Sequence, residues 1–534
     1  MAESFRRRFA RWMAIATLAL PVAAPAVPSD VDAPTSMTLR QVVTIAFERN
    51  LDIDLSYVRK ENAADEVTGA RGSYDPTLQS RGEIRWNETR DSTTLGPDGR
   101  ALRNRDRTES TRTEVLQLLP SGAEVGVGYS TTRSIGDDQG PLGERLNPDA
   151  RHRAFVSIRQ PLLKNFGPRV TNAGIRVAER EREIAEAEYQ QEVHDQLAGV
   201  LTAYWDLVLT RRSVAVAQAS LEAARELERI HAIRFETGAT PLADLLQAQA
   251  QVAAREDALL VAESAVLDAQ DDLLTRLNWS AEGREWVVPI EPADGPERVD
   301  LQLKFDDAVE VAGALQERPG YRAAELGVDV ARIDRDVAKW QRLPQLDLLG
   351  EYGFSGYGED HGAAHNEVTD ESYDDALAGV EFRYPLLNRR ARATYRQSEN
   401  ELTRSHLLVE QAGREITRQV RGATRQVRTS QLRIVAARAQ VVAARQALAV
   451  ERQRLETGGS TTFNVLRLQE DLADAERSEL DALVSYQKGI VELERARGTL
   501  VEQLGRDLGV DIVFEDQIAE PRWRRDGDST VSRR

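Results

Sequence analysis

The chain of 534 residues carries 70 Lys and Arg against 87 Asp and Glu, a formal net charge of −17, and no cysteine. An acidic balance with no clustered basic face argues against nucleic acid as a partner. Lack of cysteine excludes disulfide staples, thiolate metal sites and a lipid on an N-terminal cysteine.

In chain order the first feature is an export signal over residues 1–26. Arg6, Arg7, Arg8 and Arg11 precede a short apolar run at residues 13–22, and Ala24-Pro-Ala26 supplies a small-residue cleavage site. The run is shorter than the about 20 residues that a membrane-spanning helix needs. Cleavage after Ala26 removes four Arg and one Glu and takes the charge to −20.

The remainder repeats itself. Val156-Ser-Ile-Arg-Gln-Pro-Leu-Leu163 returns as Val380-Glu-Phe-Arg-Tyr-Pro-Leu-Leu387, and Phe235-Glu-Thr-Gly238 returns as Leu455-Glu-Thr-Gly458. Asp75-Pro-Thr-Leu78 matches Leu343-Pro-Gln-Leu346, with an insertion near residues 90–150 lengthening the first copy. Three matches in one order indicate an internal duplication. The first repeat covers residues 38–278, with strands about 74–163 and long helices about 168–278. A linker at 279–302, richer in Pro and Gly, precedes a second repeat at 303–505, with strands about 344–386 and helices about 389–505. Residues 506–534 form a C-terminal segment ending in a basic, unpatterned tail.

Each repeat opens with a period of two. Leu78, Ser80, Gly82, Ile84 and Trp86 alternate with Thr77, Gln79, Arg81, Glu83 and Arg85, and Leu346, Leu348, Gly350, Tyr352 and Phe354 alternate in the same way. Val156 and Ile158, and Ala378, Val380, Phe382 and Tyr384, continue the pattern before Pro161 and Pro385. Four strands per chain are well supported. Six result if residues 113–119 and 125–131, joined by Pro120-Ser-Gly122, also pair. Strands with one apolar face, one polar face and terminal aromatics suit an outer-membrane barrel, although a sheet packed on a soluble core looks similar residue by residue.

From each Pro-Leu-Leu to the following Glu-Thr-Gly run about 70 residues, roughly 100 Å of helix. Ile416, Val420, Ala423, Val427, Ser430, Ile434, Ala437, Val441, Ala444 and Leu448 are spaced by four and three, which predicts a coiled-coil seam. Val200, Ala203, Leu207, Thr210, Val214, Ala217, Leu221 and Ala224 hold the same register one repeat earlier. Returning helices show Leu245, Val252, Leu259, Val266 and Leu273 at sevens, echoed by Val465, Leu472, Tyr486, Leu493 and Leu500. Glu479 stands where Leu259 does, as a solvated edge charge. Thr237-Gly238-Ala-Thr240-Pro241 and Thr457-Gly458-Gly459-Ser460 break the antiparallel helices at one far end.

Neither four nor six strands close a membrane barrel, because single-chain barrels start at eight and an open edge in lipid leaves backbone groups unpaired. Closure therefore needs further copies in cyclic symmetry.

The duplicated order, the Gln160-Pro-Leu-Leu163 and Tyr384-Pro-Leu-Leu387 strand ends, Arg318-Pro319 near the start of the second repeat and the Glu-Thr-Gly turns resemble the TolC family of outer-membrane efflux proteins over nearly all of residues 38–508. The resemblance implies a mixed α/β membrane protein. Its homotrimer forms a transmembrane β-barrel, twelve-stranded if each protomer gives four strands, continued by a long antiparallel coiled-coil α-helical barrel in the periplasm. It implies, as partners, outer-membrane lipid, a periplasmic adaptor (membrane fusion) protein and an inner-membrane pump, with the chain as the passive exit duct of a tripartite efflux or type I secretion system. Adaptor docking then carries over to Thr237, Gly238, Ala239, Thr457, Gly458 and Gly459. Asp244 matches a family position that helps lock the tip. Asn464 and Arg467 stand where the best-known member has an acidic aperture ring, a departure that withholds cation selectivity from the resemblance.

No enzyme is expected, and no cofactor or metal. The histidines at 152, 194, 231, 361, 365 and 406 are scattered; only His361 and His365 are close, beside Glu359, Asp360 and Glu367 in a Gly-rich acidic stretch that reads as a solvated extracellular loop rather than a metal site. There is no phosphate loop, nucleophile elbow or metalloprotease motif. The rival reading is a soluble periplasmic coiled-coil adaptor or spacer, which has no use for two alternating strand pairs or a full-length duplication.

Overall fold

The computed structural model describes residues 35–95, 101–136, 150–238, 240–279, 289–370 and 373–509. The expected export signal, Ala239 and the C-terminal tail lie outside them. The duplication is visible as an order of elements used twice. In the first copy, strand β1 (Thr35–Met37) and helices α1 (Leu39–Arg49) and α2 (Leu51–Arg71) precede strands β2 (Thr77–Leu95), β3 (Ala101–Leu118), β4 (Glu124–Gly136) and β5 (Ala150–Pro161). Helices α3 (Pro168–Thr171), α4 (Ala173–Glu236) and α5 (Leu242–Arg276) complete it. The second copy runs through β6 (Ile290–Pro292), α6 (Asp307–Glu317), α7 (Pro319–Trp340), β7 (Gln345–Gly358), α8 (His361–Asp370) and β8 (Tyr373–Arg383) to α9 (Arg389–Glu456), α10 (Thr462–Arg497) and α11 (Leu500–Leu508).

Six strands form one antiparallel sheet in the order β2-β3-β4-β5-β7-β8. The Pro120-Ser-Gly122 segment is therefore a hairpin turn, with Gly122 at φ 86° and its N–H donating to Leu119 O at 2.8 Å. A Cβ on Gly122 would lie 2.4 Å from Asn165 O, so this turn requires glycine twice over, for its left-handed backbone and for its closeness to the strand-to-helix corner.

Both long helices start just after the sheet. α4 has 64 residues and α9 has 68, each close to 100 Å long. The four-three seam of α9 is inside: Ile416, Val420, Ala423, Val427, Ser430, Ile434, Ala437, Val441 and Leu448 are buried against α10, with Ala444 half-buried. Each large aliphatic side chain so covered contributes roughly 1.5–3 kcal/mol. On α5, Leu245, Val252 and Leu259 are half-buried and Val266 and Leu273 are buried, so packing tightens away from the turn. Glu479 is a paired edge charge, with Arg438 Nε at 3.3 Å. One boundary is corrected: the last helix of the second repeat does not run unbroken to residue 505. Gly498, at φ 79°, ends α10, and Leu500 belongs to α11.

The shorter elements belt the helical part from its sheet-proximal half to just past the middle of α4 and α9. β1 and β6 pair in parallel. Tyr204 of α4, fully buried, donates from its hydroxyl to Met37 O at 3.2 Å, and Asp294 accepts from Leu39 N–H at 2.6 Å. Asn50 caps two helices: its carbonyl accepts from Asp52 N–H and Ile53 N–H at the start of α2, and its amide donates to Arg276 O at the end of α5. Val42, Val43, Leu197, Val200, Leu201, Leu273, Ile290 and Leu500 share the largest hydrophobic core, which joins α1, α4, α5, β6 and α11.

Candidate functional site

The sheet has two chemically opposite faces. Alternation along β2 to β8 places Leu78, Val115, Val127, Val156, Tyr352 and Ala376 in one row of directly opposed residues. Around that row, on the same face, lie Ile84, Trp86, Ile158, Leu348, Phe354, Val380 and Phe382. Nearly all of these are exposed, Trp86 at 72%. An apolar area of this extent in contact with solvent marks an interface with something apolar. Tyr352 and Phe354 stack edge to face at 5.3 Å, and Arg107 lies 5.9 Å over the Trp86 ring, so aromatic and basic groups border the band at one end.

The other face is charged. Arg153 donates from Nε to Asp375 Oδ1 at 2.8 Å and also pairs with Glu351; Ser355 Oγ donates to Asp375 at 2.7 Å. Arg112 pairs with Glu114 at 2.8 Å, and Arg159 pairs with Glu381 at 3.0 Å. Phe155 is a large apolar side chain on this face, buried under the Arg112 guanidinium at 4.2 Å, while Leu377, opposite Glu351, stands exposed on it. The Arg112 and Arg159 guanidiniums are about half exposed, and their pairs add little stability. Their collective effect is a wet, polar wall.

The His361–His365 stretch is corrected. It is not a loop but helix α8, packed on the apolar face of β7 and β5. Its seat is made by glycine: a Cβ on Gly356 would fall 2.3 Å from Ala364 O. His152 Nε2 lies 2.8 Å from His361 Nδ1, and Tyr129 Oη lies 2.8 Å from both His152 Nδ1 and His365 Nδ1. The rings bond to one another, and among the described residues no group of three or more His, Cys, Asp or Glu side chains is arranged to hold a metal.

The far end holds the two turns, which are built alike. Thr237 Oγ1 donates to Ile233 O and Arg234 O, and Thr457 Oγ1 donates to Gln453 O and Arg454 O. Gly238 and Gly458 follow at φ 74° and 81°. Gly459 N–H donates back to Arg454 O at 2.8 Å, closing the second turn. Asp244 is half-buried in the first turn of α5, Asn464 is half-buried in the first turn of α10, and Arg467 is exposed and, among the described residues, in no ion pair. The described turn residues Thr237, Gly238, Thr457, Gly458 and Gly459 are thus exposed and Asp244, Asn464 and Arg467, the residues expected at an aperture, adjoin them, but these three do not bond to one another within a protomer.

One residue near the tip escaped the sequence reading. His231 on α4 is 2% exposed, and its Nε2 lies 2.7 Å from Thr462 Oγ1 at the start of α10. Its Nδ1 is buried without a hydrogen-bond partner among the described residues. Burial pushes its pKa below the ordinary 6.5, Asp244 opposing and Arg234 reinforcing the shift. The signal was present: the seam spacing extended seven residues past Ala224 lands on His231.

Among the described residues no helix is long and apolar enough to cross a membrane. The sequence matches the outer membrane efflux protein family over residues 124–278 and 311–499. The chain is 24% identical to outer membrane protein TolC of Vibrio cholerae over 397 residues, 74% of this chain and 85% of that protein. It is 28% identical to protein CyaE of Bordetella pertussis, over 46% of this chain and 50% of that one. Its fold is shared with the outer-membrane channel OprN (TM-score 0.65, 19% identity, 86% of this chain and 90% of that one) and with the CmeC outer membrane channel of Campylobacter jejuni (TM-score 0.64, 16% identity, 86% of each). With a lipid-compatible sheet face, a charged opposite face and paired helices of this length, the chain belongs to the outer membrane efflux protein family, the TolC-like channels whose strands sit in the outer membrane and whose helices lie in the periplasm.

Proposed function

We propose that three copies of this chain form a passive exit duct: a barrel in the outer membrane continued by a helical tunnel that docks, at the turns around Thr237, Gly238, Ala239, Thr457, Gly458 and Gly459, onto a periplasmic adaptor and an inner-membrane pump. The observation that carries this reading is the single sheet with one apolar and one charged face whose two edge strands, β2 and β8, pair on their inner sides with β3 and β7 and have no second partner among the described residues. Backbone groups along such edges cannot remain open in lipid. The pump supplies the energy; the duct supplies a path, gated near Asp244, Asn464 and Arg467. The names of two relatives, CyaE and the alkaline protease secretion protein AprF of Pseudomonas aeruginosa, which is 26% identical over 45% of this chain, support including secretion with efflux.

The test is the mass and shape of the detergent-extracted mature protein by light scattering and negative-stain microscopy, with sucrose-gradient separation of the two membranes. A trimeric particle well over roughly 100 Å long in the outer-membrane fraction is the expected result. A soluble monomer or dimer overturns the reading in favour of a periplasmic adaptor or spacer.

A further inference from the structure

We propose that all six strands of each protomer enter the membrane wall, β2 of one copy pairing with β8 of the next, so that three copies close an eighteen-stranded barrel. This rests on the trimeric reading above and departs from the twelve strands that the family resemblance implied.

The family match begins at Glu124, the first residue of β4, and so leaves out the β2–β3 hairpin. In a twelve-stranded closure β8 of a neighbouring copy would have to pair with the outer edge of β4. That edge is occupied: β3 pairs with β4 continuously from Asp106 opposite Gly136 to Leu118 opposite Glu124. β2 in turn covers β3 from Thr77 opposite Leu116 to Arg90 opposite Arg103. The free edges of the sheet are therefore those of β2 and β8. Because β2 and β8 run in opposite directions within a six-stranded antiparallel sheet, β8 meets the next β2 antiparallel and the alternation continues around the ring.

The stagger of the sheet is that of a closed barrel. The row of opposed residues that starts at Leu78, one residue past the first of β2, ends at Ala376, seven residues before the last of β8. The slip is six residues over five strand-to-strand steps. With roughly 3.3 Å per residue and 4.8 Å between strands, it tilts the strands by about 40°, inside the range of membrane barrels. Along β2 the pattern suits lipid: Leu78, Ile84 and Trp86 lie on the exposed apolar face and Arg81, Glu83 and Arg85 on the charged one, with Val115 of β3 opposite Leu78 and the paired Glu109 and Arg107 opposite Ile84 and Trp86 toward the far end. Continuing the slip one step beyond β8 sets Phe382 beside Leu78 or Ser80 of the next copy. Eighteen strands at this tilt enclose a ring roughly 35 Å across between backbones, against roughly 24 Å for twelve.

The chain has no cysteine, so each introduced pair supplies the only thiols. Within one protomer Leu78 and Phe382 are five strand spacings, roughly 24 Å, apart, too far for a disulfide. The double variants Leu78→Cys/Phe382→Cys and Ser80→Cys/Phe382→Cys cover the two registers. Val127→Cys/Val380→Cys reports the β4–β8 contact of a twelve-stranded ring. Each is extracted, weighed by native mass spectrometry, oxidised and run on a non-reducing gel. A covalent ladder up to the trimer from one of the two β2–β8 pairs, with none from the β4–β8 pair, is expected. A trimeric mass with a ladder from the β4–β8 pair, or with none from either β2–β8 pair, overturns the eighteen-stranded ring and leaves the duct standing. A mass other than the trimer overturns the duct as well. Strand counting in a single-particle reconstruction of the unsubstituted trimer decides the same question without substitutions, eighteen supporting and twelve overturning it.

Discussion

Gly458 and Gly498 share a left-handed backbone, φ 81° and 79°, but not their surroundings. A Cβ on Gly458 meets open space, whereas on Gly498 it would lie 2.9 Å from Arg318 Cα. Left-handed strain costs an L residue roughly 1–2 kcal/mol. Gly458→Ala is expected to lose about 1 kcal/mol of stability and Gly498→Ala about 3 kcal/mol, since the start of α7 must also move. Urea melts followed by circular dichroism test the difference, and equal losses would show that strain alone governs both. His194 adds a pH term. It is 2% exposed on α4, and burial holds its pKa at about 4, Asp195 raising and Arg318 lowering it. Because the folded value lies below the ordinary 6.5, the unfolded chain binds the proton first on acidification. The contribution of neutral His194 is complete above about pH 6.5 and is lost as the pH falls toward 4, about 3 kcal/mol in all. His194→Phe is expected to flatten that part of the profile; an unchanged slope would exclude the residue as its source.

At the scale of elements, the α9–α10 pair separates what a heptad seam reveals from what it leaves open. Ile434, 0% exposed, is expected to cost about 3 kcal/mol on truncation to Ala. Leu432, 74% exposed two residues earlier, should cost almost nothing within a protomer. If Leu432→Ala instead weakens the assembled particle in a detergent melt, that face contacts another copy. The Arg433–Asp481 pair at 2.7 Å joins the same two helices with both side chains about half exposed, so Asp481→Ala should change stability by less than about 1 kcal/mol. The seam residues were legible because a four-three spacing is local. Helix α8 was not: its Gly, Asp and His composition suggests a loop, and it becomes a helix where Gly356 and Gly358 let its backbone settle against β7.

For the whole molecule, the proposed duct makes the tip the place where two hairpins part for cargo to pass. The His231–Thr462 hydrogen bond ties α4 of one hairpin to α10 of the other. Thr462→Val removes it with little change of shape, and a hydrogen bond worth about 1 kcal/mol corresponds to roughly a fivefold rise in the ratio of open to closed channels. Planar-bilayer recordings measure that ratio, and an unchanged open fraction would dismiss the latch. Thr237, Gly238, Thr457, Gly458 and Gly459 form the turns that their Gly and Thr spacing indicated. His231 was passed over because a lone histidine in a seam resembles any other buried position until its partner on a distant helix is seen.

Alternation of two along Leu78–Trp86 and of four and three along α9 identified strands and helices, and the repeated Pro-Leu-Leu and Glu-Thr-Gly motifs set their order and their duplication. These are short-range patterns, written wherever one face of a segment must be buried or meet lipid. Tertiary structure decided what such patterns cannot encode: that residues 101–118 fill the edge of β4, that all six strands share one sheet, that α8 lies on its apolar face, and that His231 meets Thr462. Each depends on which segments, remote in sequence, come side by side. A strand's hydrogen-bonding edge carries no side-chain signature of its neighbour, so its partner is chosen only when the whole chain competes for it.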